Sequence, residues 1–275
     1  MKMIGLNNGY SIPEIGLGTW KLEGLNGEQV IQQAIELGYC HIDTAEMYYN
    51  EEMVGNAIKK CGIQRGNIFI TSKLHNEVRG YKQTIEAVYD TLRKLQIDYL
   101  DLFLIHWPKP RKYIQNYEEL NIESWKALEE IVQKGYIRTI GCSNFLEHHL
   151  EPLLKEAAIT PAVNQIEYHP YYVQENIVEY CKKKGIVVEA WSPIGNGRCI
   201  GDSRLINIAQ KYNRSVAQIC IKYVQQKGLL PIVKASTKEH LLEDISTKEF
   251  VLENEDLEII DMFDNCIRVG RHPDE

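Results

Sequence analysis

Four side chains, Asp43, Tyr48, Lys73 and His106, are of types that together can deliver a proton to an oxygen, and each stands at or just beyond the end of a short apolar run. His41-Ile42-Asp43 closes one such run on a carboxylate, and Tyr48 follows in the next stretch of loop. Ile68-Phe69-Ile70-Thr71-Ser72 leads to Lys73, and Leu100-Asp101-Leu102-Phe103-Leu104-Ile105 leads to His106. A phenol has a pKa of about 10, too high for ready proton exchange at neutral pH. An ammonium beside it stabilises the phenolate and lowers that value, and a carboxylate paired with the ammonium keeps it charged and aimed. An imidazole next to the phenol can hydrogen-bond a carbonyl oxygen and orient it. The set therefore suits protonation of the oxyanion that forms when hydride reaches a carbonyl carbon. No nucleophile–base pair for acyl transfer accompanies it. Singly, each residue has an ordinary explanation: a buried Asp–Lys pair is often structural, Tyr48 beside Tyr49 can simply pack, and a histidine before Trp107-Pro108 can sit satisfied in a core. Their joint arrival at successive strand ends is what favours chemistry.

The elements that must carry these residues alternate along the chain. Strands are expected over residues 15–18, 40–43, 68–72, 99–105, 137–142, 161–166, 186–192 and 230–234. Helices are expected over 28–37, 51–60, 81–95, 123–134, 148–156 and 174–184, through a helical region ending at Gln226, and over 238–245 and 254–263. Alternation of this kind implies a parallel sheet. Eight strand–helix units in 275 residues imply a closed (β/α)8 TIM barrel, an α/β fold read as one domain over residues 1–275. A hairpin over residues 3–12, turned by Asn7-Asn8-Gly9, is expected to close its bottom. An open doubly wound sheet would carry a glycine-rich phosphate loop after its first strand; Gly16-Leu17-Gly18-Thr19-Trp20 lacks the third glycine. In a parallel barrel the polar groups at the strand C-termini share one face, which is where such folds place their sites.

Composition narrows the class further. The chain is 44% hydrophobic and 25% charged, the balance of a globular protein with a sizeable core, and its net charge is −7 with acids and bases interspersed. That argues against nucleic-acid or anionic-membrane partners, and the Lys182-Lys183-Lys184 run is read as a solvated helix end. No apolar stretch reaches the roughly 20 residues of a membrane span, and the N-terminus has no signal-peptide pattern. Seven cysteines without CxxC spacing suggest reduced thiols and a cytoplasmic protein.

Five segments together make the chain resemble the aldo-keto reductase family over nearly its full length: Gly16-Leu17-Gly18-Thr19-Trp20, Asp43-Thr44-Ala45 through Tyr48-Tyr49-Asn50-Glu51, Leu104-Ile105-His106-Trp107-Pro108, Ile140-Gly141-Cys142-Ser143-Asn144-Phe145, and Asn164-Gln165-Ile166-Glu167-Tyr168-His169-Pro170. The resemblance implies a reductase of aldehydes and ketones in which Asp43, Tyr48, Lys73 and His106 form the catalytic tetrad. Tyr48 would be the general acid, Lys73 and Asp43 its tuners, and His106 the orienter of the carbonyl.

The same resemblance implies NADPH as cofactor, with NADH also accepted. Ser143, Asn144 and Gln165 would hold its carboxamide, and Trp191 would stack on the nicotinamide. Ser192-Pro193-Ile194-Gly195 would pass along the pyrophosphate, and Gly18, Thr19 and Trp20 would border the same cleft. At the adenosine end, Lys234, Ala235, Ser236 and Thr237 replace the family pattern Ile-Pro-Lys-Ser in part. His240 stands where relatives carry an arginine, and Asp244, beside Glu243, stands for an asparagine. A mostly neutral imidazole grips a 2′-phosphate less firmly than a guanidinium, and a nearby carboxylate weakens it further. NADPH is therefore expected to be discriminated less sharply from NADH than is usual in the family.

For the substrate, a small carbonyl compound, the resemblance implies walls of Trp20, Met47 and Trp107 around Tyr48 and His106. His75 replaces a tryptophan and is expected to make that side more polar. The loop 109–117 and the tail 265–275 are expected to form a wide rim. A monomer is expected, with no bound metal. Two other readings remain open on the residues alone. One is a metal-dependent barrel hydrolase, for which His41 and Asp43 face the same side of their strand; His148-His149 is read as surface. The other is a non-catalytic nicotinamide-binding relative, which would gain nothing from the tuned phenol.

Overall fold

Gly9 turns the N-terminal hairpin with φ of +87°, a conformation glycine adopts without steric cost. In the computed structural model, which describes residues 2–275, the hairpin pairs β1 (Met3–Gly5) with β2 (Ser11–Pro13), Met3 opposite Pro13. Eight further strands follow: β3 (Gly16–Gly18), β4 (His41–Asp43), β5 (Phe69–Leu74), β6 (Leu100–Ile105), β7 (Ile137–Ser143), β8 (Val163–Glu167), β9 (Val187–Trp191) and β10 (Leu230–Val233). They close into a parallel barrel in chain order, with β10 returning to pair with β3. This is the (β/α)8 TIM barrel expected from the alternation.

The helices are α1 (Gly24–Glu36), α2 (Glu51–Cys61), α3 (Tyr81–Leu95), α4 (Tyr117–Gln133), α5 (Glu147–Glu156), α6 (Glu175–Lys183), α7 (Ser203–Tyr212), α8 (Val216–Gln226), α9 (Lys238–Ile245) and α10 (Asn254–Asp261). Helix α4 starts earlier than expected from the sequence: its first turn sets half-buried Tyr117 and Leu120 beside exposed Glu118 and Glu119. Glu118 and Glu119 there complement the positive end of the helix dipole. The expected helical region before Gln226 divides at Asn213, which turns left-handed with φ of 51°. Ser215 and Gln218 then cap α8 reciprocally, Gln218 N–H donating to Ser215 Oγ at 3.2 Å and Ser215 N–H to Gln218 Oε1 at 3.1 Å.

Two apolar layers hold the barrel. A large one lies between strands and helices, including Ile31, Ile70, Phe103, Trp125 and Ile219. A small one inside the lower end joins Leu6 and Ile12 of the hairpin region to Phe69, Leu102, Leu104, Val163 and Leu230. Asn7 Nδ2 donates to Pro161 O at 3.0 Å and Asn8 Nδ2 to Thr139 Oγ1 at 3.1 Å, both near strand N-termini, so the hairpin closes that end as expected. The C-terminal ends of the strands are left to carry polar groups. No helix among the described residues is long and apolar enough to cross a membrane.

Candidate active site

Asp43 and Lys73 lie on adjacent paired strands, Asp43 opposite Thr71, and both side chains point into the barrel with almost no exposure. Lys73 Nζ donates to Asp43 Oδ1 at 2.5 Å, to Thr44 O at 3.0 Å and to Tyr48 Oη at 3.4 Å. Its three hydrogens thus meet three acceptors, and the last of these is the phenol. Tyr48 reaches that place because a 3-10 turn over Glu46–Tyr48 follows β4, ended by Tyr49 in a left-handed conformation. His106, just past β6, sets its ring edge-on to Tyr48 with centroids 5.7 Å apart. The four residues expected to act together therefore do meet.

Their electrostatics divide the roles. Burial opposes the charge on Lys73, but Asp43 and Tyr48 outweigh it and hold the ammonium above its ordinary pKa. Burial, then the charges of Lys73 and Arg79, push His106 well below the usual imidazole range, so it is neutral at physiological pH. Burial also pushes the Tyr48 phenol up; Lys73 pulls it down, and Asp43 adds to the rise. The lowering by Lys73 expected from the sequence is present but outweighed, because desolvating the phenolate costs more than one shared ammonium returns.

Above these groups opens a cavity of about 300 Å³, lined among others by Trp20, Met47, Trp107, Trp191, Ser192 and Lys234. Gly18, Ser143, Asn144 and Gln165 line it too. Asn144, left-handed with φ of 65°, braces two walls: Nδ2 donates to His106 O at 3.0 Å and to Ser143 Oγ at 3.1 Å, while Oδ1 accepts from Trp191 Nε1 at 2.9 Å. Gln165 Nε2 donates to Asp43 Oδ2 at 2.8 Å and to Glu189 Oε2 at 2.9 Å.

Other expected residues lie away from the cavity wall. His75 faces outward: its Nε2 lies 3.3 Å from Tyr49 Oη and its Nδ1 accepts from Glu77 N–H, so it does not make the cavity more polar. Thr19 is buried behind Trp20 in the chain, and Pro193, Ile194 and Gly195 continue beyond the lining residue Ser192. Ser236, Thr237 and His240 are exposed around the start of α9, next to Lys234 and buried Ala235. Thr237 Oγ1 caps that helix by accepting from His240 N–H at 3.3 Å. Asp244 is buried, and burial followed by Glu243 raises its carboxyl to about 8. It therefore brings less negative charge to the adenosine end than the nearby carboxylate expected from the sequence.

His148 is exposed, but His149 is buried, contrary to the surface placement expected for both. With Asp274 they form a group of metal-ligating types among the described residues. Leu146 N–H donates to His149 Nδ1 at 3.1 Å, which leaves the neutral ring's proton on Nε2, 3.0 Å from Asp274 Oδ1. That nitrogen is donating to a carboxylate and has no lone pair to offer an ion. The group instead ties the C-terminal tail to α5.

Sequence reading gave no role to Glu189 or Asn50, and it placed the tail 265–275 at the rim without naming Val269 or Gly270. Glu189 had a signal, a charge inside the apolar run Val187-Val188-Glu189-Ala190. Asn50 Nδ2 donates to Thr19 O at 2.8 Å and Leu22 O at 3.1 Å, fastening the loop of Trp20 to that of Tyr48. Val269 and Gly270, within the tail expected at the rim, line the cavity.

A barrel whose strand ends gather a phenol, an ammonium, a carboxylate and a neutral imidazole beneath an aromatic-walled cleft defines a class of carbonyl-reducing oxidoreductases. The chain belongs to the aldo/keto reductase family, whose model matches residues 14–265. It is 44% identical over 273 residues to glyoxal reductase of Bacillus subtilis, covering 99% of this chain and 96% of that one. Among solved structures, an aldo-keto reductase from a deep-sea metagenome library superposes with a TM-score of 0.94 at 35% identity, covering 99% and 98% of the two chains. A Bombyx mori aldo-keto reductase in complex with NADP does so with a TM-score of 0.91 at 34% identity, covering 98% and 95%. The protein is accordingly an enzyme that reduces carbonyl compounds with NAD(P)H.

Proposed function

We propose that this enzyme reduces small aldehydes and ketones with NADPH, that Tyr48 delivers the proton, and that glyoxal-like dicarbonyl compounds are among its substrates. The observation that carries the reading is the shared ammonium: Lys73 hydrogen-bonds Asp43 and Tyr48 at once, beside a neutral His106, on the floor of the cavity. The dicarbonyl class rests on the 44% identity to glyoxal reductase.

The residues present fit a nicotinamide. Gln165 lines the cavity with both amide hydrogens spent below, and nothing among the described residues donates to its Oε1, so that oxygen can accept from a carboxamide. Trp191 is pinned through Nε1 to Asn144 and offers a flat face. When bound, the cofactor supplies the hydride that adds to the carbonyl carbon. His106 is neutral and holds the carbonyl oxygen without competing as an acid. Tyr48 gives its phenolic proton to that oxygen, and Lys73 stabilises the phenolate left behind. Trp20, Trp107 and Met47 exclude water and accept apolar or aromatic substituents.

At the far end, Lys234, Ser236 and Thr237 are exposed near the N-terminus of α9, a place suited to a phosphate. With Asp244 buried, His240 alone is left to soften the preference for NADPH over NADH. Seven cysteines without CxxC spacing, in a chain read as a monomer, favour a reducing cytoplasmic setting.

The reading is tested by following loss of reduced-nicotinamide absorbance with glyoxal and with an aromatic aldehyde, using wild type and Tyr48→Phe, each with NADPH and NADH. Tyr48→Phe is expected to lower kcat by about 10²–10⁴-fold while still binding NADPH. Turnover retained in that variant would remove Tyr48 as the donor, and an equal or higher kcat/KM with NADH would reverse the cofactor ordering.

A further inference from the structure

Beneath the tetrad lies a second buried polar group that the proton transfer does not use. Glu189 on β9 and His41 on β4 are both fully buried, Glu189 Oε1 lying 3.9 Å from His41 Nδ1. Neither of those two atoms has a hydrogen-bond partner among the described residues, whereas His41 Nε2 is 2.9 Å from Thr71 Oγ1. A buried carboxyl group with one oxygen unclaimed is unusual enough to call for a function. Its other oxygen, Oε2, accepts from Gln165 Nε2, the nitrogen that also donates to Asp43.

We propose that Glu189 is a positioning residue for the cofactor: together with Asp43 it takes both amide hydrogens of Gln165, so that Gln165 must present its oxygen to the nicotinamide carboxamide. This rests on the nicotinamide reading given above. An amide is nearly symmetric in shape, and its orientation is set by what surrounds it. Asp43 alone fixes one hydrogen. With Glu189 absent, the second hydrogen has no partner there, and the amide is free to tilt or flip toward the cleft. A flipped Gln165 would turn its oxygen on the Asp43 carboxylate and offer hydrogens where an acceptor is needed. Burial and the neighbouring Asp43 raise the Glu189 carboxyl to about 8. The neutral acid still accepts through an oxygen lone pair, and it spares the site a second negative charge beside Asp43.

The test measures the NADPH dissociation constant by tryptophan quenching, independent of turnover, for wild type, Glu189→Gln, Glu189→Leu, Gln165→Ala and the Gln165→Ala/Glu189→Leu double variant. Glu189→Leu is expected to weaken binding about tenfold or more, while Glu189→Gln, which keeps an acceptor oxygen, stays within about threefold. In the Gln165→Ala background the leucine should add less than twofold, because its effect runs through that amide. The same loss in both backgrounds, or no loss from Glu189→Leu, would overturn the proposal. If Glu189→Leu does not fold, Glu189→Val, smaller and suited to a strand, takes its place in the same cycle. Absence of NADPH binding by the wild type would instead overturn the cofactor reading on which this one stands.

Discussion

Lys73 is where the charges of the site balance. Its ammonium is fully buried, and its three hydrogens are shared among Asp43, Thr44 and Tyr48. Replacing it by methionine keeps the stem but leaves Asp43 as a buried carboxylate held, among the described residues, by Gln165 alone. Loss of one partner of a buried pair costs about 3–5 kcal/mol, so Lys73→Met should show a clear fall in Tm. It should also lower kcat by two orders of magnitude or more. Since Lys73 is what pulls the Tyr48 phenol down against burial, its removal should move the alkaline limb of the kcat/KM profile to higher pH. A variant with kcat within tenfold of wild type and an unmoved limb would show that Lys73 does not tune the phenol.

Between strands and tail, the element that completes the cleft is the C-terminal segment. Glu167 closes β8 and is almost wholly buried; its Oε1 accepts from Val269 N–H at 2.5 Å and its Oε2 from Gly270 N–H at 3.1 Å. Arg271 then lies over Trp107, its guanidinium carbon 4.3 Å from the ring centroid, and Asp274 reaches His148 and His149 on α5. A Cβ on Gly270 would fall 2.5 Å from Trp191 Cη2 and 3.2 Å from Glu167 Oε2. Trp191 cannot yield without straining its bond to Asn144. Gly270→Ala is therefore expected to cost about 1–3 kcal/mol in stability and to weaken NADPH binding several-fold. Unchanged Tm and affinity would show that the tail adapts freely and does not set the position of Trp191.

Across the whole barrel, the buried titratable groups make stability depend on pH in two opposed ways. Burial, then Lys73, lowers His41 to about 3, against 6.5 for the ordinary imidazole. Between those values the unfolded chain binds a proton that the native state refuses, so this contribution falls as pH drops through 6.5 toward 3. Glu189 is raised from 4.5 to about 8. From pH 4.5 to 8 the native state keeps a proton that the unfolded chain has released, so its contribution falls as pH rises and levels off above 8. At about 1.4 kcal/mol per unit, the Glu189 effect between pH 5 and pH 8 is on the order of 4 kcal/mol. Urea unfolding of wild type and Glu189→Gln at pH 5 and pH 8 should show the variant losing less stability over that interval. Parallel losses in the two proteins would mean that Glu189 is ionised in the native barrel.

The alternation of apolar runs with helical periods determined the barrel, because strand and helix repeats are local and eight of them in this length have few other ways to bury their faces. The tetrad was legible for the same reason: in a parallel barrel, position at a strand end already fixes the face on which a side chain lies. Boundaries were less so, as at α4, which starts six residues before the expected run, and at Asn213, where one residue divides two helices. Tertiary structure alone decided that His75 turns to Tyr49, that Asp244 and His149 are buried, and which residues of the tail, Val269 and Gly270, reach the cleft. It also decided the net direction of the Tyr48 shift. These depend on which surfaces meet across the fold and how much water they exclude. Burial is a sum over neighbours distant in sequence, and no spacing along the chain records it.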